Sequence, residues 1–307
     1  MDRSLLDIQG DQLPAPRFET RAKMLWDDEY LYIAAQLEEP HLWATIEKRD
    51  AIIFQENNFE IFIDPDGDTH NYYELEINAL ETFWDLMLTK PYRNGGRPIN
   101  AWDIKGLKIG VNLLGTLNDP SDTDEGWALE VAIPLDLLNQ TIRRNQPQDG
   151  SLWRLNFSRV EWHTDIENGA YVKRTDPKTG KPFPEDNWVW SPQGVINMHL
   201  PERWGIIQFS DQPPRGEATF SQSSDLKYEW ILRELYYRQR DFRREHGEYS
   251  EDLYQLQASD LFEELNVQPE IQIIVLDNSY LMSLTAEELS HTFYIREDSK
   301  AWKELKN

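Results

Sequence analysis

The sequence predicts a mainly antiparallel β fold, a sandwich or a barrel, followed by a small α+β appendage. Three features lead to it. Between residues 21 and 209, short apolar or alternating runs recur with Gly, Pro, Asn and Asp between them, and no long helical period intervenes. The 12 Trp, 13 Tyr and 12 Phe suit pleated, half-buried surfaces. After Phe209 the cluster Asp211-Gln212-Pro213-Pro214-Arg215-Gly216 breaks the pattern, and helical spacing begins. The boundary therefore falls between a β-domain at 1–210 and an appendage at 211–307.

Each element has its own signal. Runs at 21–25 and 30–37 flank Trp26-Asp27-Asp28-Glu29, a hairpin pattern. Residues 58–63 and 72–79 flank Asp64-Pro65-Asp66-Gly67-Asp68 and form a second hairpin. Further strands are expected at 83–88, 107–114, 127–133, 152–161 and 205–209, with one helical turn at 134–138. In the appendage, Tyr228, Ile231, Leu235, Gln239 and Phe242 recur at helical spacing, which predicts an amphipathic helix over 227–245 closed by Gly247. Ser250 before Glu251 and Asp252 reads as the N-cap of a shorter helix through Leu256. A hairpin at 271–276 and 280–284 and a strand at 291–296 complete it.

Composition narrows the function. A net charge of -24 repels phosphate backbones and anionic lipid headgroups, so nucleic acid and membrane surfaces are poor partners. No run approaches the roughly 18–20 apolar residues of a membrane span. The start, Met1 to Asp7, lacks the basic end and apolar run of a signal peptide. With no cysteine, disulfides, thiolate metal sites and cysteine nucleophiles are excluded. No Ser-His-Asp pattern, glycine-rich phosphate loop or zinc motif stands out.

The chemistry-bearing residues are acids and aromatics. Glu74, Glu76 and Asn78 alternate along one strand and share a sheet face, which serves either solvent or a polar groove. Trp84 continues that surface and fits core packing as well as ligand stacking. Asp64, Asp66 and Asp68 alternate around a glycine turn, a hard oxygen-donor set for calcium or a solvated hairpin turn. Glu60 and Glu76 are also a candidate acid and nucleophile pair for a glycoside hydrolase, if their carboxyl groups lie about 5–9 Å apart.

Four stretches, in order, resemble the family 9 carbohydrate-binding modules: residues 22–32, the run Phe59-Glu60-Ile61-Phe62-Ile63-Asp64, residues 126–134, and Trp204-Gly205-Ile206-Ile207. The resemblance covers about residues 20–209. It implies a calcium-containing jelly-roll sandwich, mainly β, that binds carbohydrate without catalysis, accompanies secreted glycan-degrading enzymes and clamps a sugar between two tryptophans. The first clamp position, six residues before Glu60, holds Phe54 here. Trp188 and Trp190 stand nearest the second. Glu60 matches an acidic sugar ligand of the family, and an ionised carboxylate can accept from two adjacent hydroxyls. Near Glu76 the family carries an arginine, so the groove here is acidic. Arg21 and Lys23 lie on the strand matching the family's polar strand, with a salt bridge to acids as their structural reading. The expected carbohydrate contacts are Phe54, Glu60, Glu76, Asn78, Trp84, Trp188, Trp190, Arg21 and Lys23. A sandwich that has lost its sugar site and docks a protein partner is the remaining alternative.

Overall fold

The computed structural model describes residues 4–139, 146–213, 216, 218–221 and 225–306. Residues 1–3 of the N-terminal stretch, and Pro214 and Arg215 of the breaker cluster, lie outside the described residues. The chain divides into two compact units, one of residues 1–66, 71–89 and 97–218, the other of 67–70, 90–96 and 219–307.

The first unit runs β1 (Leu6–Asp7), β2 (Thr20–Trp26), β3 (Tyr30–Glu38), β4 (Asn58–Asp64), β5 (Tyr72–Asn78), β6 (Phe83–Leu88), β7 (Pro98–Ile99) and β8 (Lys108–Leu114). It continues through β9 (Gly126–Pro134), α1 (Leu135–Asn139), β10 (Leu152–Glu161), β11 (Thr164–Glu167), β12 (Ala170–Lys173), β13 (Asp186–Val189) and β14 (Gly205–Gln208). All pairings are antiparallel. The larger sheet has the order β1-β13-β10-β4-β5-β6-β7, with β14 also paired to β10, and the smaller has β2-β3-β9-β8. The hairpin of β11 and β12 stands apart and carried no strand signal in the sequence reading.

The alternation of β3 explains the packing. Leu31, Ile33, Ala35 and Leu37 point inward, and with Leu129, Val131 and Ile133 of β9 they meet Phe59, Ile61, Ile63, Leu75, Ile77, Leu155 and Phe157 of the larger sheet. A fully buried side chain of this size contributes about 1.5–3 kcal/mol, so this layer holds the sandwich together. Gly126 is required where β9 meets β3, because its φ is +139° and a Cβ there would lie 2.0 Å from the Leu37 carbonyl oxygen. β4 and β5 are buried along their whole length, on both faces.

One end of the sandwich closes on a buried ion network. The Arg159 guanidinium, 1% exposed, donates at 2.9 Å to both Glu39 and Glu161 and at 3.2 Å to the Thr20 hydroxyl. Asn57 Nδ2 bridges the same two carboxylates at 3.2 and 3.1 Å. Burial beside Glu39 raises the Glu161 carboxyl well above its ordinary value, against the pull of Arg159.

The second unit contains α2 (Leu226–His246), α3 (Ala258–Leu265) and the four-stranded sheet β15 (Glu270–Leu276), β16 (Ser279–Thr285), β17 (His291–Arg296) and β18 (Ala301–Leu305). Tyr228, Ile231, Leu232 and Leu235 of α2 pack on Tyr280, Met282, Leu284, Phe293 and Ile295 of the sheet. Gly247, at φ +83°, ends α2 as the sequence predicts. The helix expected to open at Ser250 lies instead at 258–265. Ser250 is held by Gln239, whose side chain exchanges hydrogen bonds with its backbone N–H and carbonyl, and its hydroxyl accepts from the Asp252 N–H in a local turn. Strand β18 carried no clear sequence signal either.

Removing one partner of a buried ion network leaves charge without compensation, a loss of about 3–5 kcal/mol. Arg159→Met is therefore expected to lower unfolding free energy by that order in urea melts, with double replacement of Glu39 and Glu161 by Gln in the same chain restoring part of it.

Candidate functional site

The outer face of the larger sheet is set by strand parity. Phe59, Ile61 and Ile63 enter the core, so Asn58, Glu60 and Phe62 turn outward. Register then aligns Ser158 of β10 with Glu60 of β4, Glu60 with Glu76 of β5, and Glu76 with Trp84 of β6. These four form one row across four strands. The adjoining row is Asn156, Phe62, Glu74 and Leu86. Three glutamates thus share one patch of sheet, with paired neighbours about 4.5–5.5 Å apart at Cβ.

This face is covered by apolar groups. Ile53, Phe62, Tyr72, Trp84, Leu86, Leu88 and Trp204 form a second cluster, with Ile46 and Met198 against it. Glu60, Glu74 and Glu76 are 4%, 5% and 1% exposed. Burial raises the Glu60 carboxyl to about 7, aided by the charge of Glu185. Glu74 rises to about 8 through burial and the Glu60 charge. Glu76 rises well above its ordinary range, from burial and then from Glu60 and Glu74. Glu76 and Glu74 share a hydrogen bond that favours the protonated form at Glu76 and the ionised form at Glu74.

Phe54 sits in a single 3-10 turn, Ile53–Gln55. Its N–H donates to Glu76 Oε2 at 2.9 Å, while its ring is 39% exposed. The Trp162 indole N–H donates to the Phe54 carbonyl at 3.0 Å, and the Lys173 ammonium lies 3.2 Å from the Trp162 ring centroid. Phe54, Glu60, Glu76 and Trp84 are therefore brought together. Trp162 was missed in the sequence because its neighbour Phe54 is over a hundred positions away.

Other expected contacts are engaged elsewhere. Asn78 donates to the Ile46 carbonyl and to Glu56, and its oxygen accepts from the N–H groups of Leu80 and Thr82. All its capacity is spent on holding loops. Trp188 is 2% exposed in the core, its ring facing the Arg159 guanidinium at 5.2 Å, so no sugar can stack on it. Trp190 packs against the core and the backbone of Gly205, where a Cβ would come within 2.2 Å of Cζ3. Arg21 and Lys23 are exposed on β2 of the smaller sheet, and Arg21 pairs with Glu19 at 2.9 Å.

In the β4–β5 turn, one oxygen from each of Asp64, Asp66 and Asp68 lies within 4.8 Å of the others. Asp64 is buried and the other two are half-buried. Asp68 accepts from the His70 N–H at 2.7 Å and pairs with Lys300 at 3.1 Å.

An antiparallel sandwich with polar side chains recessed in one sheet face and aromatic rings beside them belongs to the class of β-sandwich binding modules. The chain is a member of the carbohydrate family 9 binding domain-like family, whose family model matches residues 6–190. It is 29% identical over 124 residues to exoglucanase XynX of Acetivibrio thermocellus, 39% of this chain and 10% of that protein. It is 27% identical over 118 residues to endo-1,4-beta-xylanase C of Paenibacillus barcinonensis, 38% of this chain and 9% of that protein. The chain thus spans about a tenth of the curated relatives it matches. A family 9 carbohydrate-binding module from Caldicellulosiruptor kristjanssonii, solved with cellotriose, is 16% identical, with a TM-score of 0.41 over 68% of this chain and 84% of that one.

Raised carboxyl values tie stability to pH with a definite sign. Unfolded glutamates ionise near 4.5, whereas Glu60 and Glu74 ionise near 7 and 8 when folded, so the folded state holds more protons between those limits. Stability is full below the unfolded value and is lost as pH rises through the folded ones. His199, lowered by burial to about 4, acts in the opposite sense and only below its unfolded value of 6.5. The melting temperature is expected to fall by several degrees between pH 6.5 and 8.5, and Glu74→Gln should make that slope shallower.

Proposed function

We propose that the protein recognises carbohydrate without cleaving it, through the outer face of the larger sheet around Phe54, Glu60, Glu76 and Trp84. Family membership supports carbohydrate as the ligand, and the observation that carries the placement is the row Ser158–Glu60–Glu76–Trp84 beside the exposed ring of Phe54 and the half-buried ring of Trp162. An aromatic ring covers the apolar face of a pyranose, while carboxylates accept from its hydroxyls. The acids stand side by side on one sheet face, so they approach a ligand from one side. Glycosidic hydrolysis instead needs two carboxyls flanking the bond. By analogy with the enzymes whose segments it matches, the chain serves glycan degradation outside the cytoplasm.

Stacking and hydroxyl contacts replace contacts with water, so affinity is modest, with each neutral hydrogen bond contributing about 0.5–1.5 kcal/mol. In a glycan array followed by calorimetry, Phe54→Ala and Trp162→Ala are each expected to weaken retention by about tenfold while leaving the melting temperature within a few degrees. A folded protein that retains no glycan would instead favour docking of a protein partner.

For the β4–β5 turn we propose a structural calcium. Three carboxylates suit a hard cation, which takes about six to eight oxygen ligands, and the ion would compete with Lys300 for Asp68. Its chemistry would be confined to tying these acids together. Adding a chelator is expected to lower the melting temperature by roughly 5 °C, the scale of a ligand present at about a hundred times its Kd; an unchanged melt removes calcium from the account.

A further inference from the structure

The first unit contains two buried sets of carboxylates, neutralised in different ways. Glu39 and Glu161 receive a guanidinium from the chain itself, Arg159. Glu60, Glu74 and Glu76 receive none, and among the described residues no lysine or arginine forms an ion pair with any of them. The charges that act on them are other carboxylates: Glu185 on Glu60, Glu60 on Glu74, and Glu60 and Glu74 on Glu76. Glu60 and Glu74 are 4% and 5% exposed.

A second observation at the same place points to a ligand. Among the described residues, the Trp84 indole nitrogen, in the row beside Glu76, is buried with no acceptor. Asn58, two residues before Glu60 on the same outward face and 1% exposed, has a buried Oδ1 with no donor among the described residues. Buried polar groups are ordinarily paired. One donor and one acceptor are therefore left unsatisfied beside an acidic row that lacks a cation, with the Phe54 ring exposed alongside.

We propose that this site is selective for saccharides carrying a protonated amine, of the glucosamine type, with the ammonium on Glu60 and Glu74 and ring hydroxyls on Trp84 Nε1 and Asn58 Oδ1. The inference rests on the carbohydrate reading above and adds the ligand's charge. An ammonium supplies up to three donors to carboxylates, and charge-assisted bonds are about twice as strong as neutral ones. Where the carboxyl meeting the ammonium was protonated, its proton leaves to buffer.

Calorimetry on the full chain at pH 7 compares three tetrasaccharides: fully deacetylated glucosamine, N-acetylglucosamine and the cello-oligomer. The glucosamine tetramer is expected to bind at least about tenfold more tightly than either neutral one. Its apparent enthalpy should change between buffers of different ionisation enthalpy, which reads the released proton. Because the net charge of -24 attracts any cation, Glu60→Gln and Glu74→Gln are the deciding controls, and each should remove the preference. If either fails to fold by its melt, Trp84→Phe, which keeps the ring and deletes the donor, should weaken binding of the glucosamine tetramer several-fold.

Equal or tighter binding of the cello-oligomer overturns amine selectivity and leaves the carbohydrate reading standing. Absence of binding to all three overturns both. A preference that survives in the folded glutamine variants assigns it to the general acidic surface and overturns this placement. Calcium chloride titrated alone is the remaining arm: binding that is lost in Glu60→Gln and excludes the glucosamine tetramer makes the row a metal site and overturns the proposal.

Discussion

The central strands of the larger sheet, β4 and β5, are buried on both faces, and most of what distinguishes this protein follows from that constraint. An antiparallel sheet in a sandwich ordinarily packs one face on the core and wets the other. Here β4 and β5 are buried at every position, so polar residues that alternation would send to water enter apolar surroundings. Each such group then needs a partner, a proton or a ligand.

The cover is positioned by polar anchors in loops. Glu56 accepts from the N–H groups of Thr45 and Ile46 and from Asn78. Asn118 exchanges hydrogen bonds with the backbone of Ala44, and Asp124 accepts from the Leu42 N–H. These contacts tie the stretch between β3 and β4 to β5 and to the connection between β8 and β9, and the N–H of Phe54 in that stretch donates to Glu76. A backbone donor on a carboxyl otherwise surrounded by carboxyls lowers the cost of an ionised state there, although burial dominates and the carboxyl still rises.

The two buried acid sets show how context decides the solution. At the end of the sandwich, a guanidinium with a fixed fork of donors meets two carboxylates at once, and Asn57 completes the network. On the outer face, among the described residues, no guanidinium pairs with Glu60, Glu74 or Glu76, and Glu74 and Glu76 share a hydrogen bond instead. The first arrangement is closed within the chain. The second leaves donors and acceptors unsatisfied, and there the chain can accept something from outside.

The sequence alone determined most of the longer strands, because period-two alternation and turn residues are local signals, while the short β1, β7 and β13, the β11–β12 hairpin and β18 were not legible in it. The hairpin around Asp27, the strands from β4 to β6 and the helix from Tyr228 to Phe242 were all legible in it. It also carried the family, through four ordered stretches, and placed Glu74 and Glu76 on one face. It could not show that this face is covered, since burial depends on loops far away in the chain. For that reason Asn78, Trp188 and Trp190 read as ligand contacts, whereas hydrogen bonds and core packing use them, and Trp162 passed unnoticed. The helix expected after Ser250 failed in the same way, because Gln239, on the preceding helix, holds that serine's backbone. Tertiary structure alone aligned Ser158, Glu60, Glu76 and Trp84 in one row, because the register between strands from four separate parts of the chain exists only once the sheet has formed.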